Sequence, residues 1–239
     1  MSEFVGDQMT TDIAVIAAHP DDEVLGCGGT IARHVARGDR VHVLILAEGA
    51  TSRDLLRSVE QRAPQLSALQ SAAREAGRIL GVESVQFGGF PDNRMDGLDL
   101  LDVVKVVEKF VADCSPRVVY THHGGDLNVD HQVTQRAVLT AMRPLPDSTF
   151  ERILFFEIPS STEWGSVLGN PFVPQWFEDV TPFLEKKMEA LRAYQSEMKA
   201  FPHARSYENV ESLARLRGAS SGIAIAEAFM LGCKVHRWT

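Results

Sequence analysis

The chain repeats one pattern: a short run dominated by apolar and β-branched residues, then a polar turn, then a longer amphipathic stretch. The runs fall at 13–18 (IAVIAA), 41–47 (VHVLILA), 117–122 (RVVYTH) and 153–158 (ILFFEI), with a shorter one at 85–87 (VQF). Runs of this length without strict alternation suit strands buried on both faces. Between them, 64–80 carries Leu66, Leu69, Ala73, Ala76 and Leu80 close to a 3.6-residue period. The stretch 98–111 does the same through Leu101, Val104, Val107 and Val111, and 133–142 also reads as a helix. Strands alternating with helices of about 10–15 residues build βαβ units. The expected fold is α/β: a single domain over 1–239, Rossmann-like, with a mostly parallel β-sheet flanked by helices.

The remainder is less regular. GCGGTIARHVARG after the first run reads as a helix, with Ile31, Ala32 and Val35 on one face. Segment 160–175 is polar, aromatic and rich in Pro and Gly, so a long loop near the strand ends is expected. Helices are expected over 181–199 and 207–217, and the tail IAIAEAFML suits either a strand or a buried helix.

Size and charge narrow the function. A chain of 239 residues buries a core without staples. Its net charge of -8 argues against sequence-independent nucleic-acid binding, which needs a basic footprint. Three widely spaced cysteines, Cys27, Cys114 and Cys233, form no disulfide framework and fit a reducing compartment. The start MSEFVGDQMTTD lacks the basic and apolar regions of a secretory signal, and no apolar run approaches the ~18 residues of a membrane span. The expectation is a soluble, cytoplasmic protein.

Chemistry concentrates at two strand ends. HPDDE, with His19, Asp21, Asp22 and Glu23, follows the first run directly. In an open α/β sheet, ligands gather outside the carboxyl ends of strands. Like charges crowded there are costly unless a cation offsets them. A solvated turn leading into a helix, with acids at its N-terminus, is the plainer alternative. The equivalent position after RVVYTH carries His122, His123, Asp126, Asn128, Asp130 and His131. Two histidines, a carboxylate and an open position make a hydrolytic zinc site, and His19, Asp22 and His131 can supply them. Other divalent first-row metals accept the same donors. GCGG does not match G-x-G-x-x-G, so a dinucleotide site is disfavoured.

On these residues the chain resembles the PIG-L/LmbE-like superfamily of zinc-dependent N-acetyl sugar deacetylases. The likeness rests on AHPDDExxGCGG from Ala18 to Gly29 and on the Asp130-His131 pair at a helix start. It extends through the Arg74-Glu75 helix, the GGFPDNRMDG loop and the run at 153–158. The resemblance implies His19, Asp22 and His131 as zinc ligands and Asp21 as general base. Asp130 would orient a neighbouring imidazole. Asn128 stands where some members carry a histidine that stabilises the oxyanion; its amide can donate but not titrate, and His122 or His123 are substitutes. Arg53 and Asp92 match substrate contacts, with Arg94 nearby.

The implied reaction is removal of an acetyl group from a small-molecule N-acetylamino sugar. Arg53 and Arg94 leave room for a phosphate or nucleotide on that sugar, and a homo-oligomer is compatible with the resemblance. The alternatives are a noncatalytic carbohydrate-binding protein and a metal-dependent phosphoesterase.

Overall fold

The computed structural model describes residues 10–146 and 148–237. In chain order the elements are β1 (Asp12–Ala17), α1 (Asp22–Ala36), β2 (Arg40–Ala47), α2 (Val59–Leu80), β3 (Ser84–Phe90), α3 (Leu100–Cys114), β4 (Val118–His122), α4 (Val129–Ala141) and β5 (Arg152–Phe156). They continue with a short α5 (Thr162–Gly165), β6 (Trp176–Asp179), α6 (Leu184–Ala193), α7 (Tyr207–Ala219) and β7 (Ala226–Lys234). Among the described residues the seven strands form one sheet in the order β3-β2-β1-β4-β5-β7-β6. The first five are parallel, and β7 runs antiparallel to both β5 and β6. This is the α/β, mostly parallel, helix-flanked sheet that the alternating pattern predicts.

Each strand of the centre has to satisfy two cores, which is why its sequence is apolar without interruption. Along β1, Ile13 and Val15 face a layer with Ile31, Leu80 and Leu191, while Ala14 and Ile16 face Val104, Val107 and Val138. The chain leaves β1 toward β2 and β3 on one side and returns to β4 and β5 on the other. The direction therefore switches between β1 and β4, where carboxyl-end loops diverge and leave a crevice. Ile16 pairs with Thr121 across that seam, which sets the residues after each strand side by side.

Several expected boundaries move. Helix α2 starts at Val59 because Ser58 caps it, accepting from Gln61 N at 3.3 Å, and Pro64 is carried inside. The helix expected over 181–199 is a 3-10 turn at Thr181–Phe183 followed by α6, which ends at Ala193. Within 160–175 the chain makes α5 and a further 3-10 turn, and β6 follows as a strand too short to announce itself. The ambiguous tail is a strand, β7.

Helix α1 begins inside the acidic motif, at Asp22, and is interrupted at Cys27 (φ -149, ψ 26). Interruption frees backbone groups that must find partners. The Glu227 carboxylate accepts from Gly29 N at 2.9 Å and Thr30 N at 2.7 Å. Lys187 Nζ donates to Leu25 O at 2.9 Å and to Glu227 at 2.6 Å. A β-carbon at Gly26 would lie 2.5 Å from the Phe156 ring, so only glycine lets the first half of α1 approach β5 this closely. Among the described residues no helix is long and apolar enough to cross a membrane.

Candidate active site

The turn after β1 and the N-terminus of α4 meet at the seam between β1 and β4. Asp22 folds back so that its Oδ2 accepts from His19 N at 2.8 Å. The same oxygen lies 3.2 Å from His19 Nδ1 and 3.2 Å from His131 Nε2, and the two imidazole nitrogens are 3.3 Å apart. Donors about 2.0–2.1 Å from a tetrahedral centre stand about 3.3–3.4 Å from one another, so the three atoms outline one face of a zinc-sized tetrahedron. All three residues are buried, and Asp22 Oδ1 has no hydrogen-bond partner among the described residues. The donor set and spacing fit a divalent metal.

Each imidazole is held from behind. His19 Nε2 lies 3.0 Å from Asp130 Oδ2, and Asp130 also accepts from Asn93 N at 2.6 Å and Met95 N at 2.9 Å. His131 Nδ1 lies 3.1 Å from Asp126 Oδ1. Asp126 in turn accepts from Asn128 N at 2.8 Å, from Thr162 Oγ1 at 2.6 Å and from Ser161 Oγ. Carboxylates on the far nitrogen fix the tautomer and aim the ring. The imidazole that Asp130 touches is thus His19, whereas Asp126, which carried no assigned role in the motif, serves His131. The only sequence sign of it is its place in the polar cluster.

The charges agree with this geometry. Burial alone would depress His19, but hydrogen bonds that its ring donates to Asp130 and Asp22 carry it well above the ordinary imidazole range. His131 is raised by Asp22 and Asp126 against the same burial penalty. Burial would lift Asp126, yet His131 and the two hydroxyls bring it to about 2. Asp22 is likewise held low against burial, by His131 and His19. The acids demand positive charge at the triad, which protons or a divalent ion can meet.

Asp21 points elsewhere. Its backbone is left-handed (φ 114), uncommon for a residue with a side chain. Its amide donates to Glu23 Oε2 at 3.2 Å, and its Oδ2 accepts from Arg205 Nη1 at 3.0 Å. Oδ1 is buried and has no partner among the described residues. Burial raises the carboxyl to about 7, against the pull of Arg205. Glu23 takes the Tyr194 hydroxyl at 2.5 Å and stands as a support for the turn; burial lifts it to about 8.

The remaining expected residues divide by surroundings. Asp92 is buried, accepts from Ser52 N at 3.0 Å and Ser52 Oγ at 2.6 Å, and its Oδ1 lies 3.4 Å from His19 Nε2. Arg53 reaches Glu197 through Nη2, at 2.7 Å to each oxygen, and its side chain is 46% exposed. Arg94 Nη2 donates to Leu55 O over a long 3.5 Å. Asn128 caps α4 by accepting from Asp130 N at 2.9 Å and donates its amide to Asn93 Oδ1 at 2.8 Å. His122 accepts from Ala18 N at 2.8 Å and stacks on His131 at 3.9 Å between centroids; burial pushes it well below the usual range. His123 sits 2.9 Å from Asn170 O and against Phe172. Arg205, Glu197 and Tyr194 reach the site from the C-terminal third, and no local motif marks them.

Asp92 and Asp130 gather with His19 as a second possible cation set. Both acids already hold donors, and ions on the two nitrogens of one imidazole would be separated by the ring. That exceeds the roughly 3.5–4 Å spacing of two-metal phosphoester chemistry. The second set reads as a hydrogen-bonded cradle for His19.

Comparison with known proteins places the fold in a family. The chain is 30% identical over 190 residues to the uncharacterized deacetylase YaiS of Escherichia coli (strain K12), covering 77% of this chain and 90% of that protein. It is 25% identical over 201 residues to a probable N-acetyl-alpha-D-glucosaminyl L-malate deacetylase 2 of Bacillus anthracis, covering 82% and 87%. The crystal structure of GalB, the 4-carboxy-2-hydroxymuconate hydratase from Pseudomonas putida KT2440, superposes with a TM-score of 0.76 at 23% identity, covering 96% and 99%. At that identity the likeness shows the fold alone. The profile of the PIG-L family, described as GlcNAc-PI de-N-acetylase, matches residues 14–142, more than half of the chain. The chain belongs to the PIG-L family.

Proposed function

We propose that this chain is a zinc-dependent N-deacetylase that hydrolyses the acetamide of an N-acetylated amino sugar or of its glycoside or nucleotide conjugate. One observation carries the reading: a buried carboxylate oxygen, Asp21 Oδ1, has no partner among the described residues and sits beside a His-Asp-His triad of tetrahedral spacing. A divalent ion held by His19, Asp22 and His131 supplies Lewis-acid polarisation of the amide carbonyl and lowers the pKa of water.

The chain's own groups account for the proton and the orientation. Asp21 takes a proton from the attacking water as the water oxygen bonds to the carbonyl carbon. The C–N bond then breaks, the proton passes to the departing nitrogen, and the products are acetate and a free amine. Asn128, at the α4 N-terminus, keeps a second amide hydrogen beyond the one given to Asn93 and donates it to the developing oxyanion. His122 packs behind His131 and His123 holds the loop at Asn170, so both support the surroundings of the triad. Asp92 receives sugar hydroxyls. Arg53, steadied by Glu197, and Arg94, which is exposed, face any anionic group on the conjugate. The free thiols of Cys27, Cys114 and Cys233 suit a cytoplasmic enzyme, and self-association is a companion expectation of the family.

The test is release of acetate from a panel of free, glycosidic and nucleotide-linked N-acetylamino sugars by zinc-loaded protein. Turnover of one class over the others names the substrate. No acetate from any member contradicts the reading.

A further inference from the structure

The two oxygens of Asp21 are unequal. Oδ2 is taken by Arg205, while Oδ1 is buried and has no partner among the described residues. Arg205 is itself pinned. Its Nε donates to Ser160 Oγ at 2.9 Å, in the turn after β5, and its side chain is 23% exposed. The backbone around it is tied at both ends. Lys199 N donates to Arg205 O at 3.1 Å, Arg205 N donates to His203 Nδ1 at 3.0 Å, and Asn209 Nδ2 donates to Ala204 O at 2.7 Å. Ser206 then caps α7, accepting from Asn209 N at 3.1 Å. A guanidinium fixed in this way acts as a rigid fork rather than a mobile counter-charge.

Among the described residues no hydrogen-bond donor of its own turn restrains the Asp21 carboxylate. The guanidinium supplies that restraint from 184 residues away. We propose that Arg205 is a positioning residue: by taking Oδ2 of Asp21 it fixes the carboxylate so that Oδ1 is the oxygen presented to the reacting water. This role rests on the deacetylase reading above. It also gives the C-terminal third a task in the reaction, through the segment from Lys199 to Ser206 that carries Arg205.

Two measurements test it. The first is kinetic, with free N-acetylglucosamine and its methyl glycoside as probes and acetate as the readout. Arg205→Ala is expected to lower kcat about a hundredfold, within the range of general-base contributions, with KM changed by no more than about threefold. Guanidinium chloride at millimolar concentration restores several-fold activity to Arg205→Ala and none to Asp21→Asn, and Arg205→Lys retains an intermediate rate. A raised KM with unchanged kcat, or absence of rescue, overturns the proposal.

The second measurement does not depend on turnover. Urea midpoints of the wild type, Asp21→Asn, Arg205→Ala and the double variant form a cycle. The double variant is expected to lose less than the sum of the single losses, because Arg205→Ala alone strands a buried carboxylate. Additive losses overturn the contact whatever the acetate assay gives. A wild type that releases no acetate sinks the deacetylase reading and the catalytic role of Arg205 with it, while the cycle still reads the pairing.

Discussion

The carboxylate of Asp130 lies 3.0 Å from His19 Nε2, 111 residues away in sequence, rather than against His131, its immediate neighbour. Successive residues on a helix diverge by about 100°, so the side chains of Asp130 and His131 leave α4 in different directions. His131 enters the triad, and Asp130 supports it from the other side through His19 and the loop at Asn93 and Met95. The two imidazoles of the triad therefore have separate supports, Asp130 for one and Asp126 for the other.

That division is open to measurement. Asp130→Asn and Asp126→Asn should each weaken zinc binding about 10–100-fold, the usual effect of losing such a partner. Asp130→Asn should in addition loosen the loop around Asn93, read as faster amide exchange at Asn93 and Met95. Isothermal titration with zinc gives the affinities. Unchanged affinity in both variants contradicts the supporting role.

The break in α1 rests on Lys187 and Glu227, a buried pair that also satisfies Leu25 O, Gly29 N and Thr30 N. Removing one member of such a pair typically costs about 3–5 kcal/mol. Lys187→Met should destabilise by that order in urea titration, and Glu227→Gln by less, since an amide oxygen still accepts from the freed backbone. Equal, small losses contradict the strut.

His34 gives a pH dependence away from the His-Asp-His triad. It bridges Tyr120 Oη at 2.9 Å and Asp39 Oδ2 at 2.7 Å, and burial lowers it below its ordinary 6.5 despite the pull of Asp39. The folded state therefore prefers the neutral ring. Its contribution is fully present above the unfolded pKa of about 6.5 and is lost as pH falls through the lower folded value. His34→Gln should show a shallower loss of stability than the wild type between pH 7 and pH 5, measured by urea midpoint. Parallel curves contradict this.

Much of the frame was legible because its causes are local. Apolar runs such as IAVIAA mark central strands, and HPDDE directly after one places acids at a carboxyl end. What was hidden depends on distant partners. The break at Cys27 requires Glu227, and the aim of Asp21 requires Arg205. IAIAEAFML fits two periods equally, and only pairing with β5 and β6 settles it as a strand. Asp126 stood in the polar cluster all along, but its partner could not be chosen until α4 fixed the direction of each side chain.

The central claim is that Asp21 handles the proton while the triad holds the metal. The most direct test compares acetate release by wild type and Asp21→Asn at matched zinc content. The account predicts one zinc per chain in both and a rate at least about a hundredfold lower in the variant. Equal rates at equal zinc content would contradict it.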